Sequence, residues 1–145
     1  MPARFGLGVT ALLWGGILIG VSFLAAPAKF MAPSLSLPVA LDVGRQEFAT
    51  LNLVEIALAV ITLALAIVAR PARGIWIALV VAWLVVALQA LWLLPVLDAR
   101  VELVLDGQTP PPAPWHTLYI VIEVIKLLAV LGAGLGALWP IRKAA

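Results

Sequence analysis

The sequence predicts an all-α integral membrane protein, a bundle of four helices. The chain has 145 residues, of which 65% are hydrophobic and only 11% are charged, and its mean hydropathy is +1.19. Soluble domains are about half apolar and a quarter charged, so this excess of apolar side chains has to face lipid. Four apolar runs are each long enough to cross a hydrocarbon core of about 30 Å, which takes roughly 20 residues. These runs are residues 5–26, 50–68, 75–94 and 115–139.

The composition excludes several classes of function. Nine Lys and Arg residues stand against seven Asp and Glu, for a net charge of +2, which is too few basic groups to follow a nucleic-acid backbone. The chain has no cysteine. It therefore has no disulfide framework, thiolate zinc site, iron–sulfur cluster or thiol redox relay.

The connections between the spans are marked by prolines, which remove a backbone donor and break helices. Pro27, Pro33 and Pro38 lie in the first connection, residues 70–73 form the second, and residues 95–114 form the third, which is both charged and proline-rich. We therefore expect the first and third spans to end at their prolines. A short amphipathic helix over residues 38–50 is expected at the outer membrane interface.

The basic residues predict the orientation. Three segments contain basic residues without any acidic residue: the N-terminus, the second connection and the C-terminus. Their basic residues are Arg4, Arg70, Arg73, Arg142 and Lys143. Because basic segments stay on the cytoplasmic side, we predict a multi-pass protein of the cell inner membrane with both termini in the cytoplasm.

A polar stripe runs along the fourth span. Its members stand at offsets 0, 3, 7 and 10, which on a helix lie within an arc of roughly 80°. They are His116, Tyr119, Glu123 and Lys126. If the second helix begins before residue 50, the same offsets recur along it. The residues are then Arg45, Phe48, Asn52 and Glu55. Ionisable groups inside a span cost several kcal/mol each and indicate a functional site.

Depth predicts that these polar groups meet. At about 1.5 Å per residue, Glu55, Gln89 and Glu123 all reach the outer half of the hydrocarbon core. We expect them to face inward at one level, around a polar pocket that opens to the outer side and has Lys126 as its floor. Two carboxylates and one ammonium leave a formal charge of −1, so the site should take up or lose a proton near neutral pH.

The leading interpretation is a module that binds or transports a small amphipathic ligand or protons. The candidate ligand-binding residues are Arg45, Asn52, Glu55, Gln89, His116, Tyr119, Glu123 and Lys126. A metal site is not predicted, since the seven residues from His116 to Glu123 separate these groups by about 10 Å. The structural alternative is that such polar residues join helices by hydrogen bonds of about 0.6 kcal/mol each.

Small residues predict helix packing. Gly16 and Gly20 in the first span, and Gly132 and Gly136 in the fourth, have GxxxG spacing, which permits close helix approach. One of these pairs is a candidate contact between two copies of the chain.

The two halves of the chain also resemble each other, which is typical of a parallel repeat about an axis along the membrane normal.

Two resemblances to known families follow from these residues. The segment 42–45, followed by Ala49, Asn52 and Glu55, resembles a motif of the membrane-associated proteins in eicosanoid and glutathione metabolism, which are trimers of four-helix subunits. That resemblance covers about 14 residues. It implies glutathione contacts by Arg45, Asn52 and Glu55.

The second resemblance spans the whole chain. The first helix ends in a segment from Phe23 to Phe30, Pro95 closes the third, and His116 is followed seven residues later by a polar residue. This pattern is similar to the small four-helix family that includes human transmembrane protein 205 and bacterial relatives of unknown function. It implies a four-helix membrane protein and specifies no cofactor.

Two alternative functions stay open at this point. If the protein is an enzyme, this pocket would process glutathione or a lipid. Arg45 would hold a carboxylate of the substrate, and Tyr119 or His116 would activate the nucleophile. An accessory subunit of a larger membrane complex is equally compatible with the glycine motifs.

The orientation is tested with reporter fusions. Alkaline phosphatase fused to the C-terminus should be inactive and green fluorescent protein fused there should be fluorescent, because the positive-inside bias keeps this end in the cytoplasm. Alkaline phosphatase inserted into residues 106–114 is the matched control and should be active. An active phosphatase at the C-terminus contradicts the predicted topology.

Overall fold

In a computed structural model, the chain forms four long helices. The structure describes residues 1–143, and their side chains over residues 1–139. The side chains of Arg142 and Lys143, two of the basic residues used to predict the orientation, lie outside the described residues. The helices are α1 Pro2–Met31, α2 Leu37–Ala69, α3 Arg73–Leu105 and α4 Trp115–Lys143.

The all-α fold is confirmed, and the four helices are long and apolar enough to cross a membrane. We call the end of the bundle at which α1 and α3 finish its upper end, and the opposite end its lower end. At about 1.5 Å per residue, the 33 residues of α2 span about 50 Å. This exceeds a hydrocarbon core of about 30 Å, so charged turns of the helices extend beyond the apolar part of the bundle.

Two expectations about the helix ends are wrong. The segment 38–50 is not a separate helix, since it forms the first turns of α2, where Pro38 is tolerated because the first-turn N–H groups have no helical partner. Pro27 and Pro95 do not end their helices either. Each follows a π-helical segment, Ile19–Ala25 in α1 and Gln89–Leu93 in α3, and such local adjustments pair the backbone groups that a proline leaves free.

The two helical hairpins share a pattern of buried positions. Glycines aside, the buried residues before the π-helical segments of α1 and α3 have spacings of four, three and four, and a proline follows each of these segments. These residues are Leu7, Ala11, Trp14 and Leu18 in α1, and Ile75, Leu79, Ala82 and Val86 in α3. The agreement between α1 and α3 is compatible with a parallel repeat, which stays a prediction.

The glycines that bring α1 and α4 together are Gly8 and Gly134 and not the GxxxG pairs, of which Gly136 packs against Ile75 of α3. A Cβ atom on Gly134 would lie 2.8 Å from Leu12 Cγ and 3.2 Å from the carbonyl oxygen of Gly8. Gly16, Gly20 and Gly132 have open space on their outer side. The GxxxG pairs therefore do not join α1 to α4, and a contact of Gly16 and Gly20 with a second copy stays a prediction.

Replacing Gly134 by Val should destabilise the protein by about 1–3 kcal/mol, because the backbone of α1 cannot move away without losing its packing. Gly132→Val adds the same side chain to the same helix in open space, and should leave the midpoint of thermal unfolding in detergent nearly unchanged. Equal melting midpoints for the two variants would contradict the close approach of α1 and α4.

Candidate functional site

A lysine ammonium lies at the centre of the bundle. Lys126, on α4, has no exposed surface. Its Nζ donates to a Glu55 oxygen on α2 at 2.8 Å and to Gln89 Oε1 on α3 at 2.6 Å, and it pairs with Glu123 Oε2 at 2.8 Å. The ammonium thus makes two hydrogen bonds and a further ion pair, and a buried charge has to be paired and hydrogen bonded in this way.

Further donors surround the two carboxylates. Gln89 Nε2 donates to Glu123 Oε2 at 2.8 Å, and Ser22 Oγ on α1 donates to Glu123 Oε1 at 2.6 Å. Trp14 Nε1, also on α1, donates to Glu55 Oε1 at 2.9 Å. All four helices therefore contribute to one set of hydrogen bonds, which we call the buried network. Its members are Trp14, Ser22, Glu55, Gln89, Glu123 and Lys126.

The repeated polar stripe explains why these groups meet. On α2 and α4, Glu55 and Lys126 occupy the same position of the stripe, as do Asn52 and Glu123. Both stripes turn toward the bundle axis, so groups at equivalent positions approach each other from opposite sides. The carboxylate of Glu55 and the ammonium of Lys126 then form a salt bridge, in which Oε1 and Nζ are 2.6 Å apart.

The π-helical segments carry two members of the buried network. Ser22 lies in the segment of α1 and Gln89 begins the segment of α3. A π turn adds a residue to the helical turn and changes the direction of the side chains that follow, a feature frequent at functional sites. The two distortions thus coincide with the level of the buried network.

A cavity of about 1250 Å³ lies above the buried network and extends toward the upper end. Glu123 and Ser22 line it from the network side, whereas Glu55, Gln89 and Lys126 do not line it. The prediction that Lys126 forms the floor is therefore wrong. Its ammonium is drawn beneath the floor, where three acceptors surround it.

Most of the cavity wall is apolar. The apolar lining side chains come from all four helices. Among them are Phe23, Phe30, Leu41, Phe48, Leu53, Leu94, Leu97, Val101 and Ile120. A wall of this kind, with a few polar groups at defined places, is typical of sites for small amphipathic molecules.

The other predicted site residues also line this cavity. Arg45, His116 and Tyr119 are among the lining residues, and Tyr119 packs against the ring of Phe48 with centroids 4.9 Å apart. Asn52 lines the cavity while only 7% exposed. Its Nδ2 atom has no hydrogen-bond partner.

Ion pairs join the helices around the upper part of the cavity. Arg45 donates to Asp42 at 2.7 Å and reaches Asp98 and Glu102 on α3 at 3.5 Å each. Lys29 of α1 pairs with Glu47 of α2. Arg45 is thus already held by carboxylates, which leaves little of its charge for the substrate carboxylate expected in the enzyme interpretation.

Two members of the buried network were missed at the sequence level. Trp14 lies in mid-span, away from the interfaces that tryptophan prefers, and a buried indole N–H usually finds an acceptor. Ser22 lies a little before a proline of a membrane span, where polar side chains often pair free backbone groups. Both signals were present, but neither specifies which acceptor the side chain finds.

The site holds no evident metal centre in the part of the chain that the structure describes. No group of three or more His, Cys, Asp or Glu side chains is arranged to hold a metal ion among those residues. The carboxylate oxygens of the buried network instead accept hydrogen bonds from an ammonium, an amide, an indole and a hydroxyl group.

The fold and the site together define a small multi-pass membrane protein with a polar network in its core. Comparison with known protein families, curated proteins and solved structures finds no match to this chain. The resemblance to the transmembrane protein 205 family stays a prediction.

Replacing Lys126 by Met should make stability depend on pH. Without the ammonium, Glu55 and Glu123 face each other as two uncompensated carboxylates, and the fold persists best when one of them carries a proton. Folding is then linked to proton uptake, so the melting midpoint of this variant should fall as the pH rises from about 5 to 8. Thermal unfolding in detergent at several pH values measures this.

A second variant controls for loss of packing. Adding Glu55→Gln to Lys126→Met removes one of the two charges and should restore a flatter pH profile. If the Lys126→Met protein melts with the wild-type pH profile, the three charges are not coupled.

Proposed function

We propose that the protein binds a small amphipathic molecule in the cavity above the buried network. The observation that carries this proposal is a cavity of about 1250 Å³, with a mainly apolar wall and a floor formed by a hydrogen-bonded carboxylate. Small-molecule sites commonly have volumes of about 300–1,000 Å³. The cavity therefore has room for an extended apolar body together with a polar head.

The position of the cavity supports this function. It lies between the two helical hairpins, and related membrane architectures bind their substrates at the interface between such repeats. The predicted orientation places its opening on the outer side of the inner membrane. Molecules enter from the outer leaflet or the outer aqueous phase under this proposal.

The lower half of the bundle favours binding over passage through the protein. Of the side chains that the structure describes there, the buried polar one is Thr62, which donates to the carbonyl oxygens of Leu58 and Ala59. The core around it is apolar. Its residues are Leu7, Ala66, Ile75, Leu79, Ala133 and Ala137.

The rigidity of the floor agrees with a binding role. Glu123 accepts from Ser22 and Gln89 and pairs with Lys126, so its position is fixed before any ligand arrives. A preorganised polar group at the end of an apolar cavity orients a ligand at low entropic cost. The enzyme and accessory-subunit functions stay predictions.

Blocking the cavity should remove the ligand. Ala49→Trp places an indole in the cavity, because Ala49 is one of its lining residues. We expect mass spectrometry to find an amphipathic molecule, such as a lipid or a quinone, co-purifying with the wild-type protein and strongly depleted in this variant.

Ala57→Trp is the matched control, because Ala57 is exposed on the same helix and is not among the residues lining the cavity. It should retain the wild-type amount of ligand. Equal retention by both variants would contradict the proposal, and glutathione or a thioether conjugate in the wild-type sample would favour the enzyme instead.

A further inference from the structure

Three of the side chains that line the cavity offer hydrogen-bond donors without a partner in the described part of the chain. Deep in the cavity, Nδ2 of Asn52 is buried without a partner. Nearer the upper end, Arg100 and His116 also line the cavity. Neither of them forms an ion pair or a side-chain hydrogen bond within the described part of the chain.

The carboxylates of the cavity are, in contrast, already engaged. Glu123 accepts from two donors and pairs with the Lys126 ammonium, and Asp98 pairs with Arg45. Three basic side chains also line the cavity, without counting His116: Lys29, Arg45 and Arg100. Lys29 and Arg45 are paired with carboxylates, so the positive charge available to a ligand is that of Arg100. A cationic ligand would meet acceptors that are already occupied, whereas an anionic ligand meets donors that are not.

We propose that the ligand is an amphipathic anion whose oxyanion head binds Arg100 and His116 and whose apolar body fills the cavity. This inference rests on the binding function proposed above and specifies the chemistry of the ligand. An acceptor oxygen at the inner end of the ligand takes the free N–H of Asn52. A carboxylate and a phosphate monoester share the required chemistry, since both accept hydrogen bonds from Arg and His.

The helix positions fit a ligand of this shape. His116 is the second residue of α4, and Arg100 lies in the last turns of α3, so both stand near the upper end. Asn52 is seven residues further along α2 than Arg45, which places it about 10 Å deeper in the bundle. The apolar wall lies between these two levels.

The test uses fluorescent probes that differ only in the head group. The protein is placed in phosphatidylcholine nanodiscs and titrated with 11-(dansylamino)undecanoate, with the phosphate monoester of the same chain, and with its trimethylammonium counterpart. Empty nanodiscs give the background. We expect at least one anionic probe to bind about tenfold or more tightly than the cationic probe, the effect of about one charge-assisted hydrogen bond.

Matched variants locate the head group. Arg100→Gln and His116→Gln should each weaken the anionic probe several-fold and leave the cationic probe unchanged. Arg73→Gln removes the same charge at the lower end and should have no effect. Asn52→Leu should weaken binding without lowering the melting midpoint, because it also removes a buried donor that has no partner. A merely structural role of Asn52 predicts unchanged binding.

The outcomes separate the two proposals. If the cationic probe binds more tightly, or if the anionic probe is insensitive to Arg100→Gln and His116→Gln, this inference is overturned and the binding cavity stands. If no probe binds and Ala49→Trp changes nothing, the proposed binding function itself fails. A preference between carboxylate and phosphate identifies which oxyanion the site takes.

Discussion

The buried ammonium of Lys126 is the interaction on which the structure depends. A charge inside a membrane protein costs several kcal/mol unless it is paired and hydrogen bonded. The helices therefore have to present acceptors at one level. Glu55 and Gln89 do this from α2 and α3, and Glu123 does it from the preceding turn of α4. The requirement fixes the rotation of three helices, and Trp14 adds the fourth through its bond to Glu55.

The same requirement shapes the cavity. Because the ammonium draws the carboxylates toward the axis, the network takes up the inner part of the polar stripe. Above it the cavity wall is mainly apolar, and the remaining polar groups of the stripe there are Arg45, Asn52, His116 and Tyr119. The upper ends are joined by lateral ion pairs, Arg45 with Asp98 and Lys29 with Glu47. The cavity is the space that remains between these ion pairs and the buried network. The proposed ligand site is thus a consequence of how the bundle neutralises its buried charges.

The two π-helical segments connect this electrostatic core to the backbone. Each precedes a proline, and each carries a side chain of the network, Ser22 or Gln89. The helices continue past Pro27 and Pro95, which brings charged turns such as the one containing Arg100 over the cavity. A regular helix ending at either proline would leave the cavity without this part of its wall. The distortions are therefore part of the site and not only an accommodation of proline.

The sequence by itself determined the four apolar helices and the polar stripe, because span length and helical periodicity are local properties of the chain. It also predicted that Glu55, Gln89 and Glu123 share a level, since depth follows from residue count. Only the tertiary structure decided which groups pair, where the helices end and which side chains face the cavity. These depend on helix rotation and on contacts between distant segments. Lys126 therefore lies beneath the floor, and the partners of Trp14 and Ser22 could not be read from spacing.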